Sequence, residues 1–183
     1  MNKEKELIDK LIDLAFAEDI GDGDHTTLSC IPATAMGKSK LLIKEAGVLA
    51  GVEVAKEIFN RFDPTMKVEV FINDGTEVKP GDIVMVVEGK VQSLLQTERL
   101  MLNVMQRMSG IATMTRKYAQ KLVGTHTHVL DTRKTTPGMR ILEKMAVKIG
   151  GGVNHRIGLF DMILLKDNHC LLYTSDAADD RIS

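Results

Sequence analysis

The chain has 183 residues, of which 44% are hydrophobic and 27% are charged, and its formal net charge is −1 at pH 7. This composition supports a packed core and argues against general nucleic-acid binding, which calls for a basic chain. No apolar run approaches the roughly 20 residues of a membrane span, and the charged start is unlike a signal peptide, so we expect a cytoplasmic protein. Cys30 and Cys170 are too few for a disulfide framework or a cysteine metal site.

Hydrophobic spacing in the first hundred residues predicts helices and strands in alternation. An apolar stripe from Leu7 to Ala15 predicts an opening helix that ends at Gly21. Short runs bounded by turn residues predict three strands and a second helix: strands at 40–45, 67–72 and 83–87, and a helix at 52–61. We assign residues 1–108 to an N-terminal α+β domain that is sandwich-like.

The helix that closes this domain has two differently composed stripes. Ser93 and Gln96 form a capping-box pattern that predicts its start. One stripe is expected to reach the core, and it carries Leu95, Leu102, Met105 and Met108. The other stripe is polar and carries Arg99, Asn103 and Gln106. Met101 and Met114 are also expected in the core.

Beyond residue 108 the pattern changes to regular alternation of helix and strand. It predicts helices at 110–122 and 139–149 and strands at 129–131 and 162–165. Such alternation indicates a parallel sheet, and therefore an α/β fold. We assign residues 109–169 to the start of this α/β domain.

Basic residues recur where these strands and helices end. Arg133 and Lys134 follow the strand at 129–131, His155 and Arg156 follow three glycines, and Lys166 follows the strand at 162–165. Arginine and lysine at such positions suit a ligand with several negative charges. Taken singly, each is more often a solvent-exposed loop charge or, for histidine, a structural hydrogen-bonding group. Their convergence on one pocket is the better hypothesis.

Two further positions have no chemical role on spacing alone. His25 with Asp22 and Asp24 fits no common metal-ligand pattern and is interpreted as a turn. Arg99 lies on a helix, where an arginine is ordinarily a solvated charge.

These residues, together with segments 18–27, 102–103, 109–113 and 167–169, resemble the quinolinate phosphoribosyltransferase family over most of the chain. The resemblance implies conversion of quinolinate and phosphoribosyl pyrophosphate to nicotinate mononucleotide, pyrophosphate and CO2 in NAD biosynthesis. It implies that residues 109–169 are the start of an α/β barrel, of which about sixty residues can form only the first units. It implies a catalytic role for two lysines, Lys134 and Lys166. It implies substrate binding by Arg99, Thr132, Arg133, Lys134, His155, Arg156 and Lys166.

The resemblance also implies partners and a metal. A homodimer is expected, in which Arg99 reaches the active site of the neighbouring subunit. Mg²⁺ is expected, but the carboxylates and the Gly/Ser phosphate loop that such a reaction needs are not found up to His169. Residues 170–183 resemble a translated sequencing adapter, so we expect a non-native tail on a chain that is cut at about His169 and inactive as it stands.

Two alternatives remain open at this point. A phosphoribosyltransferase-like protein associated with molybdate transport genes would share the fold, although the Arg-Lys and His-Arg pairs favour quinolinate. A lipoyl or biotinyl carrier module would explain the turn-rich strands at 73–89, but these carriers display a lysine within a hairpin motif. Lys79 precedes a proline instead, and Lys90 precedes a predicted helix.

Overall fold

A computed structural model of the protein describes residues 3–167 and residue 169, and it contains five helices and five strands within that part of the chain. The mixture of helix and strand confirms the predicted class. No described helix is both long and apolar enough to cross a membrane.

Two helices open the chain. Helix α1 (Lys3–Ile20) ends just before Gly21, whose φ of 56° is the left-handed conformation typical of a helix end, so the predicted stop is confirmed. Helix α2 (His25–Cys30) was not predicted, because six residues are too few to show helical periodicity. Asp24 begins this helix by accepting a hydrogen bond from the amide of Thr27 at 3.0 Å.

A three-stranded antiparallel sheet follows, with the order β1-β5-β3. Its strands are β1 (Met36–Leu42), β3 (Lys67–Val70) and β5 (Ile83–Lys90). The predictions for β3 and β5 are confirmed, but β1 begins four residues earlier than expected. The reason is that β1 pairs along the whole of β5, while its residues 38–40 are polar and exposed and so show no apolar signal.

A second, smaller sheet pairs β2 (Gly47–Val48) with β4 (Glu77–Val78). Helix α3 (Val52–Phe62) starts after residues 49–51, which follow β2, and its predicted position is confirmed. Gly51 precedes this helix with φ of 105° and offers no side chain, so Asp74 from a distant turn accepts the hydrogen bond of the Val52 amide at 2.8 Å. The turn at 73–75 therefore provides the helix cap.

Helix α4 (Val91–Lys121) is a single helix of 31 residues where the sequence predicted two. It continues through Ser109 and Gly110 because Met108 and Ala112 on either side of that pair are completely buried. The predicted capping box is wrong. The helix begins after Lys90, and the hydroxyl of Ser93 donates instead to Asp63 at 2.7 Å.

The burial of α4 confirms most of the predicted core stripe and corrects two positions. Met101, Met105 and Met108 are buried, and Leu102 packs against the core. The predictions for Leu95 and Met114 are wrong, because these side chains are 44% and 53% exposed. The predicted polar stripe, Arg99, Asn103 and Gln106, is exposed along its whole length.

The last described region contains helix α5 (Arg140–Ile149) and little strand. The strand predicted at 129–131 is reduced to one parallel bridge between Leu130 and Val153. The strand predicted at 162–165 is wrong, since these residues form no ladder and Ile163 is 90% exposed. Strand geometry requires a hydrogen-bonded neighbour, and no described segment lies beside 162–165 to provide one.

One core joins the regions on both sides of residue 108. Ile141, Leu142 and Ala146 of α5 belong to the same buried cluster as Met105 and Met108 of α4. The guanidinium of Arg116 strengthens this connection by donating to the carbonyl oxygens of Gly150 at 3.1 Å and Gly75 at 3.4 Å. The scaffold under the basic loops is therefore continuous with the N-terminal sheet region.

Candidate substrate-binding site

Two backbone segments are joined by hydrogen bonds, and each leads into a loop that carries predicted cationic residues. Leu130 and Val153 form the parallel bridge, and the amide of Asp131 donates to the carbonyl of Val153 at 3.2 Å. Parallel segments run in the same direction, so Arg133 and Arg156 follow their bridge residues at equal separations and emerge at one edge. This is the carboxyl edge, where α/β folds place their chemistry.

Arg133 carries an unsatisfied donor in the first of these loops. Its side chain is partly buried, and its Nε is buried with no hydrogen-bond partner in the described structure. An unpaired buried donor costs about 1–3 kcal/mol, and more when the group is charged. Its cost would be offset by an anionic ligand, because guanidinium is suited to carboxylate.

The neighbours of Arg133 are presented to solvent. Thr132 and Lys134 have exposed side chains, and the amide of Lys134 donates to Thr132 Oγ1 at 3.0 Å. This hydrogen bond fixes the turn of the loop. The ammonium group of Lys134 makes no hydrogen bond or ion pair within residues 3–167, so it is available to a ligand.

The second loop holds its two predicted residues differently. His155 is half-buried, and its backbone amide donates to Asp131 Oδ1 at 2.8 Å. Arg156 is 7% exposed, and its Nη1 donates to the carbonyl of Met162 at 3.3 Å. The structure therefore brings His155 and Arg156 to the same edge as the Thr132–Lys134 loop.

Lys166 is not brought into this group. Its side chain is exposed, and its amide donates to His169 Nδ1 at 3.1 Å in a local turn. The four apolar residues before it were expected to be buried in a barrel strand, but Ile163 and Leu165 are 90% and 75% exposed. Because residues 162–165 form no strand in the described structure, they do not place Lys166 beside the two loops.

Arg99 also stands apart from the loops. It lies on the exposed polar stripe of α4, and no hydrogen bond or ion pair connects it to another described residue. Its exposure agrees with a residue that acts on another molecule and equally with a solvated charge.

Helix α5 contributes residues that sequence reasoning missed as parts of the site. Arg140 donates to Thr135 Oγ1 at 3.0 Å, to the carbonyl of Ile157 at 3.1 Å and to that of Arg133 at 3.5 Å, so it joins the two loops. Lys144 lies one helical turn later and forms a buried ion pair with Asp131. The spacing of four between these cations was the available signal, since it places them on one helix face.

A second ion pair, between Arg107 and Glu143, stabilises the loop that carries Arg133. Arg107 Nη2 donates to Glu143 Oε1 at 2.6 Å and to Thr136 Oγ1 at 2.9 Å. Burial raises the pKa of Glu143, but the hydrogen bonds from Arg107 and Thr136 outweigh that effect, and the pKa lies below its ordinary value. The ionised carboxylate therefore ties the loop to α4.

The described residues do not form a magnesium site. They contain no group of three or more His, Cys, Asp or Glu side chains that could hold a metal ion. Asp131, which directly precedes the Thr132–Lys134 loop, is already engaged by Lys144 and by the amide of His155. No step of the chemistry is therefore assigned to a metal in this part of the chain.

Comparisons with known protein families agree on one family. Residues 24–109 match the N-terminal domain of quinolinate phosphoribosyl transferase, and residues 111–179 match its C-terminal domain. A curated relative, quinolinate phosphoribosyltransferase (decarboxylating) 1b of Nicotiana tabacum, is 48% identical over 160 residues, which are 87% of this chain and 45% of the relative. A chloroplastic nicotinate-nucleotide pyrophosphorylase (carboxylating) of Oryza sativa is also 48% identical, over 87% of this chain and 43% of the relative.

Solved structures give the same result for the fold. The crystal structure of NadC from Streptococcus pyogenes matches with a TM-score of 0.86 and 42% identity, over 91% of this chain and 59% of that one. The nicotinate-nucleotide pyrophosphorylase from Francisella tularensis matches with a TM-score of 0.82 and 36% identity, over 90% and 59%. These matches confirm the predicted fold class, an N-terminal α+β region followed by the start of an α/β barrel. The chain spans somewhat under half the length of these two curated relatives.

Proposed function

Because this chain belongs to the quinolinate phosphoribosyltransferase family, we propose that the complete protein converts quinolinate and phosphoribosyl pyrophosphate to nicotinate mononucleotide, pyrophosphate and CO2 for NAD biosynthesis. The observation that carries this proposal is the shared edge of Arg133 and Arg156, where the buried Nε of Arg133 lacks a partner among the described residues. Two arginines at one edge suit a pyridine with two adjacent carboxylates.

The proposed chemistry places most of the demand on orientation. The ring nitrogen of quinolinate attacks the ribose carbon as pyrophosphate leaves, so positive charge develops on the sugar and negative charge on the leaving group. The 2-carboxylate then departs as CO2, its electron pair passes to the cationic ring, and the ring carbon takes up a proton. Holding the nitrogen in line can supply roughly 7 kcal/mol or more of the barrier reduction at best.

Each predicted site residue has a place in this proposal. Thr132, Arg133, His155 and Arg156 hold the carboxylates, and Lys134 provides an exposed ammonium beside them. Lys134 and Lys166 are the proposed catalytic lysines. For Lys166 this requires the segment at 162–165 to join a sheet and carry the lysine to the edge that Arg133 and Arg156 share.

We assign the exposed Arg99 to the active site of a neighbouring subunit in a homodimer. Its lack of partners in the described chain is what such a role needs. The test mixes inactive Arg99→Ala and Arg133→Ala variants of the complete protein. If sites are shared, each mixed dimer contains one intact site, and about a quarter of the wild-type activity should return. No recovery after subunit exchange would place Arg99 outside the site.

Mg²⁺, the domain division and the location belong to the proposal as well. Magnesium would be held by carboxylates outside the described residues. The division between the domains falls near residue 108, close to the point where the two family matches meet. The cytoplasmic location expected from the sequence stays a prediction, since some relatives are mitochondrial or chloroplastic by name, and cell fractionation is the decisive measurement.

The predicted non-native tail at 170–183 lies outside the described residues. The C-terminal family match extends to residue 179, into this segment. Resequencing the source DNA across the codons for His169 and Cys170 tests the tail. An in-frame continuation into further strand and helix units would identify the tail as foreign, and a confirmed reading through Ser183 would contradict it.

The test of function is an assay of the protein read in frame beyond His169. It should form nicotinate mononucleotide from quinolinate, phosphoribosyl pyrophosphate and Mg²⁺, and Arg133→Ala or Arg156→Ala should reduce kcat/KM by 100-fold or more, to an order of magnitude. The 183-residue chain should form no product, since its described residues lack the metal site. Failure of quinolinate to bind in a saturable way would instead favour the phosphoribosyltransferase-like rival associated with molybdate transport.

A further inference from the structure

The ion pair between Asp131 and Lys144 is the most deeply buried charged contact in the described chain. The Asp131 side chain is 7% exposed and the Lys144 side chain is 2% exposed. Burying two charges is costly, and a pair of apolar residues of the same size is often at least as stable. Stability alone therefore does not explain why these two charged residues are buried together.

Both members of the pair hold the backbone of His155. Asp131 Oδ1 accepts a hydrogen bond from the His155 amide at 2.8 Å, and Lys144 Nζ donates to the His155 carbonyl at 3.1 Å. In the orientation that satisfies its amide, Asn154 adds a hydrogen bond to Asp131 Oδ2 at 2.9 Å and one to the Lys144 carbonyl at 2.8 Å. The residue before Arg156 is thus fixed at both of its polar backbone groups.

The same pair is also close in sequence to the first basic loop. Asp131 lies two residues before Arg133, and His155 lies one residue before Arg156. The hydrogen bonds of Asp131 and Lys144 to the His155 backbone therefore connect the start of the loop that carries Arg133 to the start of the loop that carries Arg156. The parallel bridge fixes the strands, but it ends at Val153 and leaves the next residues to these hydrogen bonds.

We propose that Asp131 and Lys144 are positioning residues that set the separation of Arg133 and Arg156, and that this separation selects a ligand with two adjacent carboxylates over a ligand with one. The inference rests on the proposed function, because it concerns the same site. Neither residue needs to touch the substrate, since each acts through the backbone of His155.

The test measures two ligands on the 183-residue chain by calorimetry. Quinolinate carries two adjacent carboxylates, and nicotinate carries one on the same ring. Lys144→Met removes the link to the His155 carbonyl and should lower the ratio of quinolinate affinity to nicotinate affinity between about 10-fold and 100-fold, because small displacements of positioning groups have effects of that size. A ratio equal to that of the wild type would overturn the proposal.

A second variant separates positioning from stability. Lys144→Met leaves Asp131 buried without its counterion, so the protein should also become less stable. The double variant Asp131→Asn with Lys144→Met removes both charges and should regain stability while its affinity ratio stays low. Ile58→Ala, a completely buried position in α3 remote from the loops, is the control that should lose stability and keep the ratio. A ratio that follows stability across these variants would overturn the proposal.

Amide hydrogen exchange at His155 keeps this test independent of the proposed function. The wild-type amide should be protected, and protection should fall in Lys144→Met more than in Ile58→Ala after correction for global stability. Unchanged protection would overturn the positioning role whatever the ligand. Loss of protection in a chain whose wild type binds no quinolinate would retain the link between the loops and reject the quinolinate site.

Discussion

At the scale of single residues, the basic character of the site depends on carboxylates that fix its cations and loops. Glu143 is the clearest case, because its ionised form receives hydrogen bonds from Arg107 and from the loop residue Thr136. Its pKa is lowered, so the folded state favours the carboxylate more than the unfolded state does. The corresponding stability is present above the unfolded pKa and is lost as pH falls through the folded pKa.

We therefore predict that Arg107→Gln lowers the free energy of unfolding at neutral pH by about 1–2 kcal/mol. The value is at the low end for charged hydrogen bonds because the Arg107 side chain is half exposed. Without Arg107 the burial effect raises the pKa of Glu143, so the difference from the wild type should shrink as the carboxyl becomes protonated. Urea unfolding across acidic and neutral pH measures this. A constant difference at every pH would contradict the assignment, and Arg99→Gln, which removes an exposed arginine that has no ion pair among the described residues, serves as control.

The sequence predicted the two arginines that share this edge, but it did not indicate the residues that support them. Arg133 and Arg156 could be predicted because each follows a segment end, which the chain pattern reveals. Asp131 and Lys144 could not, since their role depends on burial and on hydrogen bonds to a backbone 11–24 residues away. Lys166 could not be placed because its position depends on a strand that lacks a neighbour in the described structure.

At the scale of elements, hydroxyl groups on α4 replace missing backbone partners. Ser109 Oγ accepts from the amide of Ala50 at 3.0 Å and donates to the carbonyl of the same residue at 3.1 Å. Thr113 Oγ1 accepts from the amide of Val48 at 2.8 Å. These two side chains of α4 therefore supply the hydrogen bonds that a neighbouring strand would otherwise provide to residues 48–50.

Ser109→Ala should consequently destabilise the protein by about 1–3 kcal/mol, because it leaves buried backbone groups of Ala50 unpaired. Thermal or urea unfolding provides the measurement. Ser39→Ala on the exposed face of β1 is the matched control and should change little. Equal effects of the two substitutions would show that water replaces the hydroxyl of Ser109.

Asp74, which caps α3, should make the stability of the protein depend on pH. Burial raises the pKa of Asp74, although the amides of Val52 and its neighbours lower it, so ionisation is less favourable in the folded state. The contribution of Asp74 to the free energy of unfolding is fully present below the unfolded pKa of this carboxyl, and it declines as pH rises through the folded pKa. Asp74→Ala should lose the cap, about 1 kcal/mol at pH values below the unfolded pKa, and its deficit relative to the wild type should shrink as pH rises. Asp74→Asn keeps an acceptor and should remove the decline, so equal unfolding curves for the two variants would contradict this.

Element boundaries show where sequence patterns stop being informative. Helix α3 and strand β5 were predicted because each has a clear apolar period and a turn at its boundary. The continuity of α4 through Ser109 and Gly110 was not, because these residues disfavour helix locally and only the burial of Met108 and Ala112 overrides that preference. The start of β1 was hidden by polar side chains on its exposed face.

At the scale of the whole molecule, one core supports both the small sheets and the basic loops. Residues of α5 belong to the same cluster as those of α4, so the loops rest on a rigid base. The family matches fall on both sides of residue 110 and together cover most of the chain. A site built on such a base can hold its arginines at a fixed separation, which is the property that discrimination between carboxylate ligands requires.

The exposed end of the described chain supports one more prediction, about association. Leu159, Phe160, Ile163 and Leu165 are between 67% and 90% exposed within seven residues. Contiguous apolar surface of this kind promotes contact with other molecules, whereas isolated exposed side chains do not. We expect the 183-residue chain to self-associate as its concentration rises, measured by sedimentation velocity.

Replacing Ile163 and Leu165 by lysine should reduce that association, because charge at the centre of the surface opposes its burial. Leu14→Lys is the matched control, since Leu14 is 70% exposed and lies about three helical turns beyond Lys3, the α1 residue whose ammonium contacts the Phe160 ring. An equal reduction by the control would mean that net charge governs association. No reduction by the double substitution would assign the association to another surface.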